Sequence, residues 1–245
     1  MRNLVIVLDD QLNEDSAVYD GFDRAKDAIW MAEIEGSRPR MWSRKDRIAM
    51  LLSGMRHYEQ RMTRAGRCVV YRSLDDRSNA NSLRGELPRS IEQFQPERLM
   101  VVQPGEQRIR LELEATAKQA GLPLEFRPDR YVLSRTDDFW HKVNVRDGLD
   151  VPVRTPFHVE PDRTTQRVIE LVNRRFARHP GSLDGFCWPV TPEEASAALN
   201  HLLAGPGSGT YEPWLIAAMD LKLLDPREID EAVLYLKGRD ANSAV

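Results

Sequence analysis

Five short apolar runs punctuate the first half of the chain, and the polar–apolar period changes between them. Leu4-Val5-Ile6-Val7-Leu8 is continuous and rich in β-branched residues, the pattern of a strand buried on both faces. Ala28-Ile29-Trp30-Met31-Ala32 repeats it and stops at Glu33. From Arg44 to Arg64 the period lengthens: Ile48, Leu51, Leu52, Met55, Tyr58 and Met62 lie three or four apart and form one helical face. Gly66 ends that helix. Cys68 to Tyr71 is the third strand, with Cys68 expected inside. A helix starting near Asn81 or Ser82 runs to Phe94, and Pro88 falls in its first turns or marks a second start. Leu99 to Val102 is the fourth strand, and Glu106 to Gln119 is a helix with Ile109, Leu113 and Ala117 inward, closed by Gly121. Leu122 to Phe126 makes a weaker fifth strand.

Strand alternating with helix throughout requires parallel strands and right-handed crossovers. Residues 1–130 therefore read as an α/β domain, a Rossmann-like doubly wound parallel sheet of about five strands. Ligands of such sheets sit outside the carboxyl ends of the strands, where strand order reverses. The loops after Leu8, Ala32, Tyr71 and Val102 are the candidates. Residues 131–160 are polar and proline-containing and read as a linker. From 161 to 238 the chain turns helical, with helices over Thr164–Phe176 and Thr191–Leu203 and two more within 212–237. Thr191-Pro192-Glu193-Glu194 and Asp225-Pro226-Arg227-Glu228 each place a cap residue, proline and acid where a helix starts. Gly205 to Gly209 is a flexible break, and the tail from Gly238 frays.

The bulk numbers narrow the class without naming a function. With 245 residues, 41% hydrophobic and 30% charged, the chain buries a substantial core. A net charge of -3 gives no overall pull toward nucleic acid or acidic membranes. No run reaches the roughly 18 apolar residues of a membrane span, and the first strand is too short for a signal peptide. The expectation is a cytoplasmic protein with no membrane partner. Two distant cysteines, Cys68 and Cys187, make neither a disulfide framework nor a metal site.

Asp9-Asp10-Gln11 follows the first strand, where acids and an amide suit the hydroxyl or ring donors of a polar ligand; the bland alternative is a turn and cap. Glu33 and Glu106, at the ends of the second and fourth strands, converge on the same crevice. The candidate cofactor-binding residues are thus Asp10, Gln11, Glu33 and Glu106. A magnesium ion held by these acids is a weaker alternative, since no phosphate-cradling glycine loop accompanies them. Neither GxGxxG nor GxxxxGK[ST] occurs, which disfavours ordinary dinucleotide and P-loop binding. His57 reads as structural, and no nucleophilic triad or catalytic set can be assembled. Arg108, Arg110, Arg127, Arg130 and Arg135 could line a strip for nucleic acid, but an acid-paired surface is the plainer reading.

Taken in order, several runs resemble one family. Leu4 to Leu12 looks like an opening strand and GDQL loop, Ser53-Gly54-Met55-Arg56-His57-Tyr58 like SAMRHF, and Gln103-Pro104-Gly105-Glu106-Gln107-Arg108 like EPGEWR. Asp129-Arg130-Tyr131-Val132-Leu133-Ser134 with Phe139-Trp140 is similar to DxRFLSS…FxxW. Pro161 to Thr165, Gly181 to Thr191 and Leu223-Leu224-Asp225-Pro226 continue the match. The family is the photolyase and cryptochrome-related proteins, in their bacterial iron–sulfur (6-4) branch. The resemblance implies an α/β antenna domain for a lumazine-type chromophore, and a helical domain holding FAD and a four-cysteine cluster for light-driven DNA repair. Asp9 stands for the glycine of GDQL and Gln107 for a tryptophan. The chain ends before the FxRQIxGWREYxRG helix and the cluster cysteines, so the expectation is a truncated member without FAD, cluster or autonomous photolyase activity. A small-molecule chromophore is then the implied partner, and DNA contact and homo-oligomerisation stay open. The alternative is a chromophore- or nucleotide-binding or interaction module without catalysis.

Overall fold

The computed structural model describes residues 1–37, 39–131, 157–204 and 213–242. Five parallel strands form one sheet: β1 (Asn3–Ile6), β2 (Ala28–Ala32), β3 (Cys68–Arg72), β4 (Arg98–Val102) and β5 (Leu124–Arg127). Their spatial order is β3-β2-β1-β4-β5, the order of a doubly wound fold, with the reversal between β1 and β4. Register is carried by Val5 opposite Ile29 on one side and Met100 on the other.

The continuous apolar runs are explained by the two faces of this sheet. Leu4 and Ile6, Ala28 and Trp30, and Leu99 and Val101 point into a core shared with α2 (Leu83–Phe94) and α3 (Gln107–Ala120). Val5 and Val7, Ile29 and Met31, and Met100 and Val102 point the opposite way, into a core shared with α1 (Lys45–Arg64). Because both faces are covered, neither set of alternating residues can be polar.

Local signals fix the ends. Ser82 caps α2 by accepting from the Gly85 amide at 3.1 Å, and Pro88 sits inside this helix rather than starting another. Gly121, at a φ of +66°, closes α3 in the left-handed conformation that glycine tolerates. The alternation has one exception: β1 and β2 are joined by residues 7–27 with a single 3₁₀ turn, Ala17–Tyr19, and no α-helix.

Among the described residues, four further helices follow: α4 (Arg163–Arg175), α5 (Pro192–Ala204), α6 (Pro213–Asp220) and α7 (Pro226–Asn242). Thr191 and Glu194 form a reciprocal capping box: the hydroxyl accepts from the Glu194 amide and the carboxylate accepts from the Thr191 amide, at 3.3 and 3.1 Å. Helix α7 continues through Gly238 to Asn242, so the helix outlasts the point where fraying was expected. The bulk of the linker (132–156) and the glycine-rich break lie outside the described residues.

These helices share the α1 core: Val168, Leu171, Val172 and Phe176 of the α4 region lie in one cluster with Met50, Leu52 and Met55. Helix α1 is therefore covered by the sheet on one side and by α4 and α6 on the other. That is why Ala49, Met50, Ser53 and Gly54 are buried beside the six residues of the single expected face. His57 joins α1 to α4, its Nε2 lying 3.3 Å from both Thr165 Oγ1 and Asp162 Oδ1 at the α4 start. Cys68 is exposed rather than inside, because β3 is an edge strand and Cys68 is its first residue. Among the described residues, no helix is long and apolar enough to cross a membrane.

Candidate functional site at the strand-order reversal

Reversal between β1 and β4 sends their following chains to opposite faces and leaves a crevice at the carboxyl ends. Its floor is apolar: Trp30, Ile34, Leu83 and Ile109 converge from β2, the segment after it, α2 and α3. Its rim is polar, formed by Asp9 and Asp10 after β1 and by Glu106, Arg108 and Glu112 at the start of α3. The Trp30 ring is held by an Nε1 bond to Ser90 Oγ at 2.8 Å, so it is a fixed wall.

A strap formed by the segment after Ile34 crosses the mouth. Ser37 anchors it three ways: its hydroxyl donates to Asp9 Oδ2 at 2.6 Å and accepts from Trp42 Nε1 at 3.1 Å, and its carbonyl accepts from Arg108 Nη2 at 2.9 Å. Arg108 also reaches Glu112 Oε1 at 3.3 Å and Glu106 Oε2 at 3.6 Å. The space that the centre of a water can reach in this partly open recess is about 60 Å³, enough for a few waters.

Of the four candidate residues, the fold brings Asp10 and Glu106 into this crevice and leaves Gln11 and Glu33 out of its lining. Gln11 is buried and acts as a brace across the reversal. Its Nε2 donates to the Val102 carbonyl of β4 at 3.1 Å, and its Oε1 accepts from the Leu8 amide at 3.4 Å. Glu33 is fully buried on the α1 side. Its Oε1 accepts from Arg56 Nε at 2.8 Å and Tyr71 OH at 2.6 Å, and its Oε2 from Arg56 Nη2 at 3.1 Å and the Leu74 amide at 2.6 Å. Four donors fill the acceptor sites of one carboxylate. Burial and the neighbouring Glu33 charge together push the Tyr71 hydroxyl well above its ordinary pKa. Burial alone would lower the Arg56 guanidinium, but its bonds to Glu33 outweigh this and raise it.

Arg56, Tyr71, Ser37 and Arg108 escape sequence reasoning as parts of these networks, because the bonds that tie separate elements together join residues 19 to 71 positions apart. The SAMRH-like segment was the one signal pointing to Arg56. The arginine strip resolves into acid pairs: Arg110 with Glu114 at 2.9 Å, Arg127 with Glu125 at 3.0 Å and Arg130 with Asp20 at 2.5 Å; Arg135 lies outside the described residues. Among the described residues, no group of three or more His, Cys, Asp or Glu is placed to hold a metal.

Comparison with known proteins matches this architecture to one family. The family model described as deoxyribodipyrimidine photo-lyase-related protein matches residues 5–151 and 144–188. A (6-4) photolyase of Agrobacterium fabrum is 30% identical over 242 residues, covering 83% of this chain and 48% of that protein. The chain thus spans about half the length of the curated relative it matches. With the family model matching most of its residues, this chain belongs to the deoxyribodipyrimidine photo-lyase-related proteins.

Proposed function

We propose that the α/β half is an antenna-type domain that binds a lumazine-type chromophore in the β1/β4 crevice, serving a light-dependent, photolyase-related function. The observation that carries this reading is the crevice itself: an apolar floor and a carboxylate rim at the strand-order reversal, in a chain of this family. Trp30 and Ile109 supply flat and branched apolar surface for the faces of a ring. Asp10 and Glu106 accept hydrogen bonds from the hydroxyls of a ribityl chain. A bound lumazine would supply absorption of near-ultraviolet and blue light.

Binding of a ring system widens the recess by moving the strap at its rim. Release of the Arg108–Ser37 and Asp9–Ser37 bonds opens the mouth without disturbing the Gln11 brace, which lies behind it. The two cysteines, Cys68 and Cys187, do not fit a four-cysteine cluster, and no step is assigned to a cluster or flavin within these residues.

Purification in the dark followed by absorption spectroscopy and titration with a ribityl-lumazine tests this reading. A band that stays with the protein through gel filtration, or saturable one-to-one quenching of tryptophan fluorescence, supports it. A spectrum with no band outside the protein's own, together with a flat titration, overturns it. A second reading, an interaction module without catalysis, is favoured by Leu234 and Tyr235, which stand half-exposed on α7. Sedimentation of wild type against Leu234→Glu tests that reading through the oligomeric state.

A further inference from the structure

We infer that the β1/β4 crevice selects unphosphorylated ligands and rejects their phosphate esters. The inference rests on the crevice being the ligand site, and deepens that reading by naming the ligand class.

Doubly wound folds bind phosphate with three devices: a glycine-rich turn after β1, the amino terminus of the helix that follows it, and free backbone amides in that turn. The first two are absent here, and the third is reduced. The turn after β1 reads Leu8-Asp9-Asp10-Gln11 and has no glycine. The connection to β2 holds only the one-turn 3₁₀ segment Ala17–Tyr19, so no helix amino terminus points at the crevice from that side. In that turn the Leu8 amide is already taken by Gln11 Oε1 at 3.4 Å, and the Gln11 backbone amide by the Leu8 carbonyl at 3.0 Å.

Two helix termini reach the crevice: at α2 the Ser82 hydroxyl already caps the Gly85 amide, and at α3 a carboxylate stands where an anion would dock. Glu106 is the α3 N-cap residue and lines the crevice, and Glu112 follows nearly two turns further in. Among the described residues, their one cationic neighbour in the lining, Arg108, is shared between both carboxylates and the Ser37 carbonyl. Glu106 and Glu112 therefore outnumber Arg108 before Asp9 and Asp10 are counted. A doubly charged phosphate brought to this rim meets like charge at close range. In a solvent-facing, salt-screened setting that lowers affinity by roughly tenfold. Ribityl hydroxyls instead donate to the same carboxylates.

The test is a parallel titration of the full chain with a ribityl-lumazine and with its phosphate ester, at low and high salt, followed by Trp30 quenching. The unphosphorylated ligand should bind about tenfold tighter. The gap should narrow at high salt and again in Glu106→Gln/Glu112→Gln, where two of the four rim carboxylates are neutralised. Equal or tighter binding of the ester overturns this inference and leaves the crevice intact as a ligand site. A gap indifferent to both salt and the double substitution overturns it too, since the discrimination would be steric. If neither compound binds, the crevice is not the ligand site and the inference falls with that reading.

Discussion

Replacing Glu33 with alanine should destabilise the protein severely while leaving the crevice chemically intact. Glu33 is fully buried, and the Arg56 side chain paired with it is only 14% exposed. Removing one partner of a buried pair costs about 3–5 kcal/mol, because the other charge is left without compensation. Arg56 keeps a contact with Asp75 at 2.9 Å, which offsets part of that cost. The orphaned Leu74 amide and Tyr71 hydroxyl work in the other direction, at about 1–3 kcal/mol for an unsatisfied buried group. A net loss of about 4 kcal/mol is the working figure. At roughly 2–4 °C per kcal/mol for a chain of this size, Tm falls by about 8–16 °C. Urea unfolding followed by circular dichroism gives the free energy directly. Glu33→Gln with Arg56→Met should recover much of the loss, since a neutral pair of similar volume removes the stranded charge. If Glu33→Ala stays within about 1 kcal/mol of wild type and loses ligand binding instead, Glu33 is a ligand contact and the strut described here is refuted.

Acid should weaken the fold by way of its paired aspartates. Burial works to raise Asp27, but Arg2 and the amides of Asn3 and Asp23 overcome it and hold Asp27 below its usual 3.8, while Arg72 and Ser78 bring Asp76 down to about 2. Folded values below unfolded ones mean that this stability is complete above about pH 4 and is lost as pH falls through the folded values. The urea midpoint should therefore drop in that window, and drop less in Asp27→Asn. In α1, Gly54→Ala should stabilise by about 0.5–1 kcal/mol through helix propensity, since its new Cβ would meet Leu12 Cδ1 at 3.4 Å and Val190 O at 3.6 Å; Gly54→Leu should destabilise by about 1–3 kcal/mol in thermal melts. Arg108→Ala frees the Ser37 carbonyl and should speed ligand entry roughly threefold in stopped-flow mixing, the yield of losing about 0.5–1 kcal/mol of exposed clasp.

The sheet was legible because strands buried on both faces leave an unmistakable run, as at Leu4 to Leu8 and Leu99 to Val102. General rules for parallel sheets pointed to the loops after Leu8, Ala32, Tyr71 and Val102 without singling out the β1/β4 reversal, which needs the strand order. What the sequence hid was which carboxylates face the crevice. Glu33 ends β2 and looks as eligible as Glu106, but Ala32 turns it toward α1, where Arg56 and Tyr71 wait. No local pattern encodes a pair 23 positions apart. Gln11 was legible as polar and not as a brace, because its partner carbonyl belongs to Val102, 91 positions on. The full burial of α1 was missed for a related reason: Ala49, Ser53 and Gly54 are too small to signal a second apolar face, yet all three are buried.

The most direct test of the crevice as the ligand site compares three proteins in one titration with a ribityl-lumazine: wild type, Ile34→Trp and Gln107→Ala. Ile34 lines the crevice at the strap, so an indole there fills it; Gln107 begins α3 outside the lining and serves as the control. Saturable quenching in wild type and Gln107→Ala, with at least a tenfold loss in Ile34→Trp, is the predicted result. Binding that survives the filled crevice unchanged, or is absent from all three proteins, would contradict it.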